Sequence, residues 1–306
     1  VADSPAAYAL DMRVLKRIYK GHGTGNDFIV VPDLDGALDL SPVLVRALCE
    51  RHTGIGADGV LRIVRSENEP EARAMAPDAT YFMDYRNADG SIAEMCGNGI
   101  RVVLRYLVTA GLVEHNAAVA TRGGIMCVWT SGDGNVAVKI GPPRVLADRP
   151  VVTAALSSFA SATPVELPNP HVVVQLAELA DLAALDLSRP PLVEPARPDG
   201  QNVEFVVRTG PRHLVMRVHE RGVGETQSCG TGICAAVAAV ATADRSGADD
   251  AVWRVDVPGG SCQVSWRSDG DMVLAGPAVI VAEIELDDAW LAATAVAPSA
   301  GTTAAR

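Results

Sequence analysis

The chain has 306 residues, of which 48% are hydrophobic and 21% charged, and its formal net charge is −11. This length predicts two domains with a sizeable core. The acidic balance argues against a general nucleic-acid-binding protein, which needs a basic surface. No apolar run approaches the roughly 18 residues that a membrane span requires. We therefore expect neither a nucleic acid nor a membrane as a partner.

The first half of the chain predicts strands separated by glycine-rich turns. Residues 1–12 are small and weakly patterned, so we expect a flexible leader. Ser41 is a predicted N-cap for the helix that follows it, and the polar residues 65–78 predict an exposed loop. Strands are expected over residues 13–20, 28–31, 60–64 and 81–85.

The second half predicts more strands and two helices. A strand over residues 136–140 ends at Pro142 and Pro143, which mark a candidate domain junction. A short helix is expected to end at Trp290, and residues 293–306 have so little to bury that they predict a disordered tail. Helices are expected near residues 174–185 and 233–243, and strands over 204–207, 214–218, 252–257, 262–266, 272–274 and 277–285.

The six cysteines are spread through the chain, unlike the dense set of a disulfide-stapled domain. Residues 1–12 also lack the basic segment and apolar core of a secretory signal. Both observations favour free thiols in a reducing compartment, so we expect the protein in the cytoplasm. Four cysteines fit the ordinary role of a small buried hydrophobe: Cys49, Cys127, Cys234 and Cys262.

The other two cysteines, Cys96 and Cys229, each begin a Cys-Gly-x-Gly motif before an apolar segment. A glycine-rich turn that leads into a helix leaves backbone N–H groups unpaired, and these groups attract negative charge. A cysteine at such a position is expected to gain thiolate character. One motif in each half of the chain indicates two related domains.

Two such thiols suit the inversion of an amino-acid stereocentre. A base must take the α-proton from one face while an acid delivers a proton to the other, and thiols can play both parts near neutral pH. Helix N-termini would stabilise the negative charge of the carbanion. A pair of glycine-flanked cysteines buried in tight turns is the structural alternative, but two copies before apolar helices favour catalysis.

Other routes to a functional site have weaker support. A pyridoxal-phosphate enzyme needs a Schiff-base lysine, and the three lysines, Lys16, Lys20 and Lys139, flank or lie within predicted strands. The chain has neither a Cys-x-x-Cys pair nor a His-x-x-x-His pair for zinc. GIGADG at residues 54–59 fits the dinucleotide fingerprint, but it follows a helix and precedes a strand, the reverse of a Rossmann turn. We expect no cofactor and no metal.

Several sequence blocks together resemble the diaminopimelate epimerase family. The blocks, in the family's order, are HGTGNDF (22–28), RHTGIGADG (51–59), RNADGSIAEMCGNGIR (86–101), NPH (169–171), GQNVEF (200–205) and HERGVGETQSCGTG (219–232). The resemblance covers about residues 13–292, and the blocks are specific jointly rather than singly.

The resemblance implies an α/β (α+β) fold of two similar domains, each a β-sheet wrapped around a central helix, with the active site in the cleft between them. The last strand would return to the first domain. The N-terminal domain would then contain residues 13–140 and 276–292 with Cys96, and the C-terminal domain residues 141–275 with Cys229. The implied activity is cofactor-independent interconversion of LL- and meso-2,6-diaminopimelate for lysine and peptidoglycan precursors. A homodimer is a candidate assembly.

By resemblance, Cys96 and Cys229 are the acid and base. Arg221 would bind the distal carboxylate of the substrate in a two-pronged fashion, and Glu220 would accept a hydrogen bond from an ammonium group. His171 is a candidate orienting residue, although a structural histidine fits its context equally well. The implied substrate-binding residues are Asn26, Asn87, Gly97, Asn98, Asn169, Asn202, Glu220, Arg221, Gly230 and Thr231. Some family members have glutamine where this chain has Gly59, so Gly59 is left out of the site.

Two rival functions remain from different classes. A proline-racemase-type enzyme would share the fold and the paired cysteines, but HGTGNDF and the asparagine of MCGNG favour diaminopimelate. The charged pair Glu220 and Arg221 also suits a substrate with a second charged end. A thiol-redox or scaffold protein is the alternative without epimerase activity. Exchange of the substrate α-hydrogen would separate the enzyme from that alternative.

Overall fold

The computed structural model describes residues 15–154, 157–159 and 162–296. The expected leader and residues 297–306 of the expected tail lie outside this part of the chain. The chain forms two compact units. Among the described residues, the first unit contains 15–22, 27–126 and 279–296, and the second contains 23–26 and those between 127 and 278.

The helices and strands are numbered in chain order. The chain begins with β1 (Arg17–Gly23), β2 (Asn26–Pro32), α1 (Pro42–Cys49), β3 (Gly59–Arg65), β4 (Tyr81–Asn87), α2 (Gly97–Thr109), β5 (Asn116–Thr121) and β6 (Gly124–Thr130). It continues with β7 (Val136–Gly141), β8 (Arg144–Val145), β9 (Val151–Ala154), β10 (Ser157–Phe159), β11 (Thr163–Leu167), β12 (Asn169–Leu176), α3 (Leu179–Ala184) and β13 (Leu192–Glu194). It ends with β14 (Asn202–Gly210), β15 (His213–Glu220), β16 (Gly224–Thr226), α4 (Gly230–Ala243), β17 (Val252–Val257), β18 (Gly260–Trp266), β19 (Met272–Gly276), β20 (Ala278–Glu285) and α5 (Asp288–Val296).

The first unit is built around α2, which contacts β3, β4 and β5. Ile100, Val103 and Leu107 of α2 are fully buried, as expected for a helix that a sheet surrounds. Parallel pairing joins β2 to β3, and antiparallel pairing joins β3 to β4. Strand β3 is buried from Gly59 to Val64, so both of its faces pack inside the unit.

The second unit is built in the same way around α4. Every residue from Gly230 to Ala241 is buried, and the helix contacts β8, β11, β12, β14, β15, β18 and β19. A helix that is apolar on all sides belongs in a core. Each unit thus has a sheet wrapped around a central helix that follows a Cys-Gly-x-Gly motif. The expected fold of two similar α+β domains is confirmed.

The units divide at a different place from the junction predicted at residue 140. The first unit ends at Met126, and β7 lies in the second unit, where it pairs with β19 from Val136 to Gly141. Pro142 and Pro143 do end β7, but the chain goes on to β8, which pairs with β11 of the same unit. The prolines therefore break a strand inside the second unit and do not mark its boundary. Residues 23–26 also belong to the second unit, although they were expected in the first.

Several predicted elements have different limits. Residues 174–176 lie in β12, and the helix expected near 174–185 is only α3. Val172, Val173 and Val174 are all buried and pair in parallel with β14, as in a strand whose two faces are both covered. The last helix extends beyond Trp290 to Val296, so residues 293–296 of the expected disordered tail are helical. Leu291 is buried and anchors this alanine-rich helix, α5. None of the helices in the described ranges is long and apolar enough to cross a membrane.

Candidate active site

Cys96 lies at the N-cap of α2, with extended backbone dihedrals (φ −138°, ψ 117°). Its sulfur accepts a hydrogen bond from the backbone N–H of Gly99 at 3.3 Å. The side chain is half-buried. A sulfur that replaces the oxygen of an ordinary capping residue is aimed at the positive end of the helix, where negative charge is stabilised.

The first turn of α2 is held by an arginine that the sequence analysis did not single out. Arg101 is fully buried. Its Nε donates to the carbonyl oxygen of Gly97 at 3.2 Å, and its Nη2 donates to Oδ1 of Asn98 at 2.5 Å. Arg101 therefore fixes the orientation of two residues proposed to cradle the substrate. Two sequence signals could have found it: its place at the end of the block 86–101, and its spacing of three and four residues from Asn98 and Gly97.

Two of the predicted substrate-binding asparagines lie in turns at strand ends. Asn87 ends β4, and its Nδ2 donates to Oγ of Ser91 at 3.0 Å. Asn26 begins β2, directly after the turn residues Thr24 (φ 53°) and Gly25 (φ 79°), both in the left-handed region. Within the second unit this turn packs against Gly259, where an added Cβ would lie 1.9 Å from the Thr24 carbonyl oxygen.

Cys229 occupies the same position on α4 that Cys96 occupies on α2, but its surroundings differ. The residue is only 5% exposed, and its sulfur lies 3.6 Å from Oγ1 of Thr231. Burial raises the pKa of the Cys229 thiol well above its usual value, and the negative charges of Glu220 and Glu204 raise it further. Cys229 is therefore a protonated thiol at neutral pH, which suits a proton donor.

The carboxyl group of Glu220 faces this thiol. It accepts a hydrogen bond from Oγ1 of Thr226 at 2.5 Å and another from Cys229. Burial raises the pKa of Glu220, which makes the carboxylate a better proton acceptor than an exposed one. The pair can therefore pass a proton between sulfur and oxygen.

His171 and Glu204 form a fully buried pair beside the same helix. Nδ1 of His171 lies 2.7 Å from Oε1 of Glu204, and Nε2 lies 2.9 Å from Oδ1 of Asn169. The other carboxylate oxygen of Glu204 is buried with no hydrogen-bond partner among the described residues. Helix α4 approaches so closely that a Cβ on Gly232 would lie 2.5 Å from Oε1 of Glu204. His171 thus orients Asn169, and Glu204 is a buried charge that sequence reasoning missed inside the GQNVEF block.

Asn202 and Arg221 are also joined in the second unit. Oδ1 of Asn202 accepts from the backbone N–H of Arg221 at 2.9 Å, and Nη1 of Arg221 donates to the carbonyl oxygen of Asp199 at 3.0 Å. The guanidinium is exposed to solvent, so it is open to a ligand. The second unit therefore holds Asn26, Asn169, His171, Asn202, Glu220, Arg221, Cys229, Gly230 and Thr231, and the first holds Asn87, Cys96, Gly97 and Asn98.

A polar cavity of about 360 Å³ in the first unit contains none of these residues. Its lining includes Arg62, Asp84 and Arg122. Arg62, Arg86 and Arg122 all pair with Asp84, and Arg86 and Arg122 hold the pKa of Asp84 below its usual value, against the effect of burial. All three arginines of the lining pair with its carboxylates, so the cavity is a structural ion network. Over the part of the chain that the structure describes, no group of three or more His, Cys, Asp or Glu side chains could hold a metal ion.

Comparisons with known proteins agree on one family. The sequence profile described as diaminopimelate epimerase matches residues 18–146 and 164–281. A diaminopimelate epimerase from Streptomyces coelicolor is 54% identical over 281 residues, which cover 89% of this chain and 96% of that protein.

Solved structures with the same fold include a phenazine biosynthesis protein of the PhzF family from Bacillus anthracis (TM-score 0.65, 16% identity, 89% of this chain and 98% of that one). Another is a probable proline racemase from Agrobacterium radiobacter, with a TM-score of 0.62 and 14% identity, where the match covers 89% of this chain and 92% of that one. At such identities, these two show the fold alone.

Proposed function

Because this chain belongs to the diaminopimelate epimerase family, we propose that it interconverts LL- and meso-2,6-diaminopimelate, a step in lysine and peptidoglycan precursor biosynthesis. The observation that carries the mechanism is the pair of cysteines at the N-caps of the two central helices. The proposal requires Cys96 and Cys229 to reach opposite faces of the same α-carbon. Neither pyridoxal phosphate nor a metal takes part in it.

The reaction removes a proton from one face of the α-carbon and adds a proton to the other face. One cysteine, as thiolate, removes the α-proton and becomes a thiol, which leaves an electron pair delocalised into the α-carboxylate. The opposing thiol donates its proton to the other face of the carbon and becomes a thiolate. The enzyme ends with the protonation states of its two sulfurs exchanged, ready for the reverse reaction. The N–H groups at the start of α2 and α4 stabilise the charge on the carboxylate.

The starting states of the two thiols follow from their surroundings. Cys229 is buried beside Glu220 and Glu204, which favours the thiol. Cys96 accepts an N–H group at a helix N-terminus, which favours the thiolate. We therefore assign Cys96 as the base and Cys229 as the acid in the resting protein. When the resting protein meets the other epimer, the two sulfurs must first exchange states: Glu220 can take the proton of Cys229, and Cys96 gains a proton from solvent. His171 is the orienting residue.

Recognition of the substrate rests on its two charged ends. The exposed guanidinium of Arg221 can bind the distal carboxylate with two parallel hydrogen bonds, and the carboxylate of Glu220 can accept from an ammonium group. Asn26, Asn87, Asn169 and Asn202 can each donate and accept. Gly97, Asn98, Gly230 and Thr231 offer backbone N–H groups at the two helix starts. A proline-type substrate has no second charged end for Arg221, so this alternative is not favoured.

Isotope uptake tests the proposal directly. In heavy water, with no pyridoxal phosphate or metal added, the inverted epimer should carry deuterium at the new stereocentre from the earliest times. The unreacted epimer should at first carry little, because its proton has not left. Inverted product without deuterium would contradict a two-thiol mechanism. No inversion and no exchange of the α-hydrogen would instead support the thiol-redox or scaffold alternative.

We further propose a homodimer in the cytoplasm. Strand β20 exposes the apolar residues Val279 and Val281, which are 41% and 61% exposed. Exposed apolar residues that share one strand face are typical of an interface. Sedimentation at several protein concentrations checks this: a dimer should dissociate when Val281→Lys places a charge on the face, and an unchanged monomer mass for both proteins would contradict it.

A further inference from the structure

The block RHTGIGADG has no role in the proposed chemistry, although its glycines fit a phosphate-binding fingerprint. In the structure this segment folds back on the end of α1. The N–H groups of Ile55 and Gly56 both donate to the carbonyl oxygen of Leu48 at 3.0 Å. The N–H of Ala57 donates to the carbonyl oxygen of Cys49 at 3.1 Å. These groups cap the C-terminus of a helix, so none of the three is directed at a phosphate.

Beyond the cap, the segment forms a set of ionic contacts with β1 and β2. Arg51 donates to both oxygens of Asp27, with Nη2 to Oδ1 at 2.9 Å and Nη1 to Oδ2 at 3.1 Å. Its Nη2 also donates to Oδ1 of Asp58 at 2.8 Å. Nζ of Lys20 donates to Oδ2 of Asp27 at 2.6 Å and to the carbonyl oxygen of Gly56. Two cations thus neutralise two carboxylates.

The two aspartates also bind each other's backbone. The N–H of Asp27 donates to Oδ2 of Asp58 at 3.2 Å, and the N–H of Asp58 donates to Oδ1 of Asp27 at 3.2 Å and to its carbonyl oxygen at 2.9 Å. Two carboxylates this close repel each other unless one is protonated or cations compensate their charge. Arg51 and Lys20 supply the compensating charge and lower the pKa of Asp27, against the effect of burial. We refer to Lys20, Asp27, Arg51 and Asp58 as the aspartate clasp.

The clasp is connected to two of the predicted substrate-binding asparagines through the backbone. Asp27 is bonded in sequence to Asn26. On the other side, the carbonyl oxygen of Asp58 accepts from the N–H of Ala88 at 3.1 Å, and the adjacent Gly59 pairs with Asn87 across β3 and β4. Fixing Asp27 and Asp58 against each other therefore fixes the backbone next to both asparagines.

We propose that the aspartate clasp is a positioning device for Asn26 and Asn87, and that its four residues act on the reaction through these asparagines. The expected effect of the clasp on substrate turnover rests on the proposed function. Small errors in the placement of binding groups reduce turnover far more than they reduce stability. Gly54 of the block is required by close packing against the end of α1, since a Cβ there would lie 2.0 Å from the Ala47 carbonyl oxygen.

The test compares Arg51→Ala with Arg17→Ala. Arg17 forms a surface ion pair with Glu283 at 2.8 Å in the same unit and has no contact with the clasp, so it is a matched control. Arg51→Ala should lower kcat/KM for diaminopimelate by about tenfold to a hundredfold, mainly through a lower kcat. Arg51→Lys should recover part of the loss, because it restores one charge without the fork. Arg17→Ala should change neither constant.

Amide hydrogen exchange supplies a readout that does not depend on activity. In Arg51→Ala the amides of Asp27, Asp58 and Ala88 should exchange faster than in the unaltered protein, whereas those of α2 should not. Asp58→Asn should show the same pattern of faster amide exchange, and it replaces Arg51→Ala in the test if that variant does not fold. Unchanged exchange at these amides, or unchanged kcat/KM with an active parent protein, would overturn the proposal. A parent protein that does not act on diaminopimelate would instead remove the proposed function, and with it this role of the clasp.

Discussion

The two Cys-Gly-x-Gly motifs begin helices of the same kind but have different electrostatic surroundings. At α2 the sulfur of Cys96 accepts a backbone N–H, and a buried cation, Arg101, binds the first turn. At α4 the sulfur of Cys229 is buried beside two carboxylates, which raise the pKa of its thiol. The comparison shows that a shared motif fixes where a thiol lies but not which protonation state it prefers. An acid and a base can therefore come from one repeated element.

The largest expected effect is the loss of either sulfur. Cys96→Ala and Cys229→Ala should each reduce inversion by about 10²- to 10⁴-fold, the usual contribution of an acid or a base. Polarimetry or chiral chromatography of the two epimers measures it. Should one variant keep normal inversion, the two motifs would not share one reaction, and the comparison would lose its basis.

Oxidation tests whether the two thiols can meet. We expect activity to depend on reductant, because a Cys96–Cys229 disulfide would remove base and acid together. Peptide mapping after mild oxidation identifies the bond, and activity should return on reduction. An oxidised, inactive protein in which both thiols remain free would show that this explanation is wrong. Cys127→Ser is the control, because Cys127 is exposed in the structure, although the sequence predicted a buried cysteine there.

The negative charge of Glu204 is one reason why the pKa of the Cys229 thiol is raised. Glu204→Gln keeps the size of the side chain but removes a negative charge that raises the pKa of Cys229. The pKa of that thiol should therefore fall, and its alkylation should begin at lower pH than in the parent. The measurement uses the Cys96→Ala background, so that the two reactive sulfurs are not confused. An alkylation profile that stays in place or moves to higher pH would contradict the role of Glu204.

The smallest expected effect concerns packing at the two helix starts. A Cβ on Gly232 would lie 2.5 Å from Oε1 of Glu204, whose side chain is buried and bound to His171. A Cβ on Gly99 would lie 3.0 Å from the end of the Leu61 side chain. Gly232→Ala should therefore destabilise the protein by about 1–3 kcal/mol, and Gly99→Ala by less. Urea unfolding measures both, and equal losses would mean that the helices are packed alike.

Elements with strong local patterns could be predicted from the sequence. The sequence correctly predicted the helices after Cys96 and Cys229. It also predicted the N-cap at Ser41, whose Oγ accepts from the N–H of Leu44 at 3.3 Å. The short strands β9, β10 and β13, which form a separate three-stranded sheet, were not predicted. Such strands have three or four residues, too few to show the alternation that identifies a strand. The prediction placed the end of the first unit at residue 140, after β7. Strand β7 lies in the second unit because it pairs with β19, and the prolines that end it do not mark the boundary.

The sequence by itself determined the repeated cysteine motif, the family and the residue types expected at the site, since all of these are written in short contiguous blocks. Only the tertiary structure decided the surroundings of those residues. The carboxylate of Glu204 beside Cys229, Arg101 in the first turn of α2 and the aspartate clasp all depend on burial and on partners, most of them far apart in the chain. Burial sets the cost of a charge, and a partner offsets that cost. The protonation state of each thiol is therefore a property of the folded units, although the thiols themselves are visible in the sequence.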